Sequence, residues 1–316
     1  MKHRYRFISV ITAMTVILLL GACNSSEGTS SDEGDEKINI VTTIAQIGQP
    51  LEVIGGEHVH VESLMGPGVD PHLYKATQGD INTLESADIV FYNGLNLEGN
   101  MNDIFAEIGK AKPVLAVGES LAETALLDDE EEPGATDPHI WFDIDLWKEA
   151  LDAAVDVLKE YAPNHADEFE ANKTAYFAEL DNLKTEASEL LGNIPESQRI
   201  LVTAHDAFGY FGRLFDIEVV GLQGLSTEDE IGLSDIQSTI DIIAAHHVPA
   251  VFVETSINEN SIQAVIEGAK EAGVDVSLGG ELYSDAMGKA GTEEGTYLGM
   301  YRHNVETIYE ALSEKE

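Results

Sequence analysis

Cysteine is nearly absent: one residue in 316, which excludes a disulfide framework within the chain. Basic residues are scarce too, with 17 lysines and arginines against 58 aspartates and glutamates and a formal charge of −41. So little positive charge cannot displace counterions from a phosphate backbone, and no nucleic-acid partner is expected. Adsorption to an anionic membrane through a basic patch is excluded on the same ground. Cations are the small partners that this balance admits, although acidity alone commonly does no more than keep a protein soluble. Common catalytic signatures are also missing. There is no GxxxxGK[ST] loop, no GxGxxG after a strand, no GxSxG elbow and no HExxH helix. A role other than catalysis is the expectation. Apolar residues are not lacking: at 43% they can build a real core, and the length predicts roughly two domains of about 150 residues.

Long apolar runs are confined to the N-terminus. Lys2, Arg4 and Arg6 precede a 14-residue run at positions 7–20, too short for a comfortable membrane span and suited to a signal-peptide core. Leu20-Gly21-Ala22-Cys23 then resembles the bacterial lipobox, in which the cysteine is lipidated and becomes the new N-terminus. The only cysteine falls at that position, so lipidation of Cys23 is expected and a catalytic cysteine is not. The following NSSEGTSSDEGDEK is rich in serine, glycine and acid, lacks apolar residues and reads as a flexible tether. The globular part is therefore expected on the outer face of the cytoplasmic membrane, held there by lipid.

Short β-rich runs alternate with helical patterns in the rest of the chain. Strands are expected at residues 38–43, 59–64, 88–92 and 113–117, and again at 199–203, 217–220, 249–254 and 274–278. Such alternation predicts βαβ units and parallel sheets. The expected fold is α/β: two α/β lobes with parallel four-stranded sheets, joined by a long rigid helix. Trp147, Ala150, Leu151, Ala154, Leu158 and Tyr161 keep helical spacing up to Pro163. Residues 164–191 then carry Phe169, Tyr176, Leu180, Leu183, Ala187 and Leu190 on one face, with Asn164 as expected N-cap and Gly192 as the expected residue beyond the C-cap. The division that follows is signal peptide 1–22, tether 23–37, N-terminal lobe 38–162, linking helix 163–193 and C-terminal lobe 194–316.

Seven of the ten histidines have ordinary expected roles. His3 lies in the signal peptide. His58 and His60 alternate along an expected strand and share a solvated face; a metal-chelating H-x-H is the less favoured reading. His165 falls in the first turn of the long helix, His246 and His247 at a helix end, and His303 on the last helix. Three remain. His72 sits in Gly68-Val69-Asp70-Pro71-His72, His139 in Asp137-Pro138-His139, and His205 in Thr203-Ala204-His205-Asp206. All three are expected beyond carboxyl ends of strands, where open parallel sheets bind ligands. The repeated Asp-Pro-His fixes the backbone ahead of each imidazole and reduces the ordering cost of a site.

The segments GVDPHLYKAT, TDPHIWFDIDLW, LVTAHDAFGYF and GGELYSDAMGKAGTEEGTYLGMYRHNV resemble the metal-specific solute-binding lipoproteins of ABC transporters. The resemblance runs from about residue 38 to the C-terminus and includes the lipobox. It implies two lobes bridged by a long helix with a metal ion in the cleft between them. It also implies four ligands, matching His72, His139, His205 and Asp285 in this chain. Some members of that family were first described as adhesins, so a surface adhesin is the competing role; a metallohydrolase would need an open coordination position.

The cargo that the resemblance implies is a divalent metal ion, with Mn(II) expected ahead of Zn(II) or Fe(II). Three imidazoles and a carboxylate suit zinc, and manganese stands lowest in the general affinity order. Two features favour manganese. Asp285 supplies a hard oxygen able to bind through both atoms. The acidic stretch at residues 128–136 also lacks the histidines that zinc-specific relatives carry there. His205 departs from the glutamate common in manganese-binding members. The resemblance further implies a permease and its ATPase as partners, and a monomer is expected. Asp206, Asp143 and Glu254 are candidate acceptors orienting the imidazoles.

Overall fold

The strand that ends in His205 shows why the chain folds as it does. All six residues of Ile200–His205 are buried, so burial does not alternate along the run, as expected of a parallel strand covered on both faces. The structure is a computed structural model and describes residues 36–128, 134–228 and 230–313. The expected signal peptide and tether, with Cys23, lie outside the described residues except for Glu36 and Lys37, as do residues 129–133 of the acidic loop.

Among the described residues the strands are β1 (Ile38–Thr42), β2 (Val59–Ser63), β3 (Ile89–Tyr92), β4 (Val114–Ala116), β5 (Ile200–His205), β6 (Glu218–Gln223), β7 (Ala250–Glu254) and β8 (Ser277–Leu282). They form two four-stranded sheets, β2-β1-β3-β4 and β6-β5-β7-β8. Every pairing is parallel. The two lobes thus repeat one topology, and in each the strand order reverses beside the first strand. That reversal opens a crevice at the carboxyl ends of the strands.

The helices are α1 (Ala45–Gly55), α2 (Gln78–Ser86), α3 (Asn102–Ile108), α4 (Ile144–Tyr161), α5 (Ala166–Leu191), α6 (Gly209–Phe215), α7 (Leu233–His246), α8 (Asn260–Glu271) and α9 (Tyr297–Leu312). Asp143 caps α4 by accepting from the N–H groups of Asp145 and Leu146. The long helix α5 has 26 residues, or about 39 Å, and buries Phe169, Tyr176, Leu180, Leu183, Ala187 and Leu191. No helix among the described residues is long and apolar enough to cross a membrane.

Three local expectations are corrected. Pro163–His165 forms a 3₁₀ turn, so α5 starts at Ala166 and Asn164 does not cap it. Proline lacks the N–H needed to continue α4 and starts a new turn instead. Gly192 keeps a right-handed φ of −60°, because the chain runs on into a further turn with Ile194 N–H bonded to Leu191 O. The last strand begins at Ser277 and reaches Leu282, later than the expected 274–278. Its Gly279 and Gly280 weaken the strand signal, yet a Cβ on Gly279 would lie 2.7 Å from the Phe252 ring, so glycine permits the close packing there.

The main core runs without a break from one lobe to the other through Trp141, Phe142, Phe208, Phe211, Tyr297 and Tyr301. A smaller core including Val202, Leu222, Ile243, Val251 and Val265 lies within the C-terminal lobe. Tyr297 and Tyr301 donate their hydroxyls to the carbonyls of Trp141 (2.6 Å) and Phe142 (2.8 Å), tying α9 to the segment just after His139. Leu180, fully buried on α5, is part of this shared core. Leu180→Ala is expected to cost about 2–5 kcal/mol in urea unfolding of the metal-free protein, while leaving metal stoichiometry unchanged.

Candidate metal centre

Each of the four side chains is placed by a different element. His205 is the last residue of β5 and Glu254 the last of β7, its neighbour in the sheet. Glu254 Oε1 accepts the His205 backbone N–H at 2.9 Å, and Oε2 lies 2.5 Å from His205 Nδ1. His139 follows Asp137-Pro138. Asp137 Oδ1 accepts from the His139 backbone N–H (2.9 Å) and lies 2.8 Å from Nδ1. Behind it, Asn93 Nδ2 donates to Pro138 O at 2.9 Å. The buried Glu98 carboxylate in turn accepts from Thr43 Oγ1 and from the N–H groups of Asn93 and Gly94.

His72 is reached through a left-handed Gly68, φ +72°. Asp70 Oδ1 accepts the His72 N–H at 2.9 Å, and Oδ2 accepts Thr227 Oγ1 from the other lobe at 2.6 Å. Asp285 follows β8. Gln46, in the first turn of α1, donates Nε2 to Asp285 O (2.9 Å) and Ser284 O (3.2 Å), and Trp141 Nε1 also donates to Ser284 O (3.2 Å). The N-terminal lobe therefore holds the backbone of Asp285, one of the two residues that the C-terminal lobe contributes.

These loops bring the four side chains together in the interior. His139 and His205 are fully buried, Asp285 is 1% exposed and His72 5%. The ring centroids stand 5.4 to 6.1 Å apart. Asp285 lies among them, with Oδ1 3.3 Å from His139 Nε2 and Oδ2 3.3 Å from His205 Nε2 and 3.8 Å from His72 Nε2. None of these five atoms makes a hydrogen bond among the described residues. Five buried polar atoms that face one another without a hydrogen bond are costly unless something satisfies them all. Donors about 2.1 Å from one tetrahedral ion lie about 3.4 Å apart, close to these separations.

The electrostatics divide the three imidazoles. Burial pushes His72 down to about 3, against the attraction of Asp285. Burial also opposes charge on His139, but Asp137 and Asp285 outweigh it and lift the ring to about 9. Burial likewise opposes charge on His205, yet Glu254 and Asp285 raise it well above the ordinary histidine value. Asp285 is pushed up by burial and held well below the usual carboxylate range by His205, His139 and His72. His72 differs because no carboxylate is bonded to its ring; its Asp70 binds backbone and Thr227 instead.

All four side chains singled out in the sequence are thus brought to one point. Of the three candidate acceptors, Glu254 contacts His205. Asp143 instead caps α4 and pairs with Arg213 at 2.9 Å, and Asp206 donates its backbone N–H to Gln223 O. The acceptor for His139 is Asp137, which sequence reasoning missed although Asp-Pro-His displayed it two residues ahead. His58 and His60 do not share a strand face, because His58 belongs to the 3₁₀ turn Gly56–His58 that precedes β2.

Comparison with known proteins gives a consistent picture. Residues 40–311 match the family model described as ZnuA, zinc-uptake complex component A, periplasmic. The manganese-binding lipoprotein MntA of Bacillus subtilis (strain 168) is 49% identical over 295 residues, 93% of this chain and 95% of that protein. The zinc-binding protein TroA of Treponema pallidum (strain Nichols) is 43% identical over 286 residues, 90% of this chain and 92% of that protein. The solved structure of the periplasmic zinc-binding protein TroA from that organism superposes with a TM-score of 0.86, covering 88% of this chain and 100% of that one.

Proposed function

The chain belongs to the ZnuA family of metal-uptake components, and from that premise we propose that it captures Mn(II) outside the cell through His72, His139, His205 and Asp285. It is a solute-binding protein of a metal ABC transporter and not an enzyme. The observation that carries the ligand assignment is the convergence of five buried donor atoms from both lobes, none of them hydrogen-bonded. No adhesive role needs such a centre.

The choice of manganese rests on Asp285. Both of its oxygens face imidazole nitrogens, so both can ligate, which gives five protein donors. Zinc settles with four ligands in a tetrahedron, whereas manganese accepts more and harder ones. The 49% identity to a protein named manganese-binding, against 43% to one named zinc-binding, points the same way. Zn(II) is the second cargo on grounds of general affinity.

In this reading the signal at residues 1–22 directs export, lipid on Cys23 anchors a monomer, and the lobes at 38–162 and 194–316 work about the linking segment 163–193. Metal enters, the lobes settle around it, and the loaded protein delivers it to a permease driven by an ATPase. Binding across both lobes stabilises the closed fold by linkage. Dialysis of the soluble chain against buffered Mn(II) and Zn(II) tests this. One equivalent is expected, with manganese retained at physiological free levels of both ions; zinc alone would change the cargo, and no bound metal would refute the reading.

Asp137 provides a subtler check. Its carboxylate fixes the His139 ring so that Nε2 faces the centre. Asp137→Asn is expected to weaken Mn(II) binding about 10- to 100-fold in a competition titration with a fluorescent chelator.

A further inference from the structure

A second group of ligand-type side chains stands apart from the cleft, where the 3₁₀ turn Gly56–His58 meets the start of α5. His58 Nε2 lies 3.0 Å from Glu168 Oε2, and Glu57 adds a carboxylate whose oxygen falls within 4.8 Å of both. The His58 ring is stacked on His165 at 3.8 Å and set edge-on to Phe169 at 5.9 Å, so its orientation is fixed by packing. Asn172 of α5 donates to Ile54 O at 3.0 Å and holds the two segments together beside the cluster.

We propose that Glu57, His58 and Glu168 form a second, peripheral site for a transition-metal dication, for which Zn(II) serves as the probe. Donors about 2.1 Å from one tetrahedral ion lie about 3.4 Å apart, so the 3.0 Å between His58 Nε2 and Glu168 Oε2 has to open only by a few tenths of an ångström to admit an ion. One imidazole and two carboxylates select zinc-class ions over magnesium or calcium, which prefer oxygen alone. The positive end of α5 opposes a cation there, but a helix terminus carries about half a charge against the two full charges of the carboxylates. With three ligands and an exposed rim the site holds water as well as protein donors, and it exchanges its ion more readily than the buried centre does. His60, exposed on β2, takes no part. An ordinary surface ion pair between His58 and Glu168 is the rival account, and it predicts no metal.

The test counts Zn(II) by equilibrium dialysis on the untagged soluble chain at micromolar free zinc. Two equivalents are expected for the natural sequence. His58→Ala and Glu168→Gln should each lose the weaker equivalent and keep the tighter one. The double variant His139→Ala/Asp285→Ala should lose the tighter and keep the weaker. Glu168 is exposed, so its glutamine variant retains the fold even if the histidine variant does not. A single equivalent in the natural sequence, or a second one indifferent to both substitutions, overturns the proposal. Failure of the central site shows separately, as a tight equivalent that is absent or that survives the double variant.

Discussion

Asp285→Ala is expected to abolish useful Mn(II) capture, lowering affinity by well over a hundredfold. Loss of a residue that merely orients a ligand costs about 10- to 100-fold, and Asp285, as the proposed ligand, offers two oxygens. It is also the only hard donor among four, so its removal leaves three imidazoles. That set is a familiar zinc environment with an open fourth position. Zn(II) binding should therefore fall much less than Mn(II) binding, and the variant should become zinc-selective. Calorimetric titration with each ion checks both halves. Equal losses for the two ions would contradict the role given to Asp285 in selecting manganese. The variant's fold is expected to persist, because Gln46 grips the Asp285 carbonyl, which alanine retains.

Acidification is the second large effect. An imidazole must be neutral to ligate, so bound protons compete with metal. In the metal-free centre His139 is lifted to about 9 and His205 well above the ordinary value, so both carry protons at pH 7. His72, pushed down to about 3, carries none. Binding must then expel protons from His139 and His205. Each expelled proton makes apparent affinity rise about tenfold per pH unit, so the two together give up to about a hundredfold per unit. The rise should continue until pH approaches 9, where His139 deprotonates unaided.

Stability of the metal-free protein runs the other way. A histidine raised above its unfolded value stabilises the fold fully below about 6.5, and that contribution is lost as pH climbs through the folded value, here about 9 for His139. Metal-free Tm should thus decline between those values while metal affinity grows. Calorimetry in buffers of different ionisation enthalpy reports the expelled protons directly. Proton-neutral binding at pH 7 would contradict this account.

How much of this was legible in the sequence depended on whether the signal was local. The buried run of β5 and the apolar stripe of α5 announced themselves by composition and period. His72 and His139 were marked by Asp-Pro-His, and His205 by the strand that it ends. The site's supports were harder to read. Asp137 and Asp70 occupy the same motif, yet one bonds an imidazole and the other reaches across to Thr227, a difference decided by loops far apart in sequence. Gln46 holds Asp285 from 239 positions away, and nothing around Gln46 signals it. The glycine pair in β8 hid the later part of a strand whose tight packing requires glycine. His58 was misplaced because the 3₁₀ turn Gly56–His58 runs straight into β2, and its partner Glu168 belongs to a helix that begins more than a hundred residues later.

The most direct measurement is a crystal structure of the protein loaded with manganese, with diffraction collected at wavelengths on both sides of the manganese absorption edge. The account predicts one strong anomalous peak in the cleft. It should lie about 2.0–2.4 Å from Nε2 of His72, His139 and His205 and from both oxygens of Asp285. A manganese peak that leaves any of these four residues out of reach would contradict it, as would a cleft with no peak at full loading.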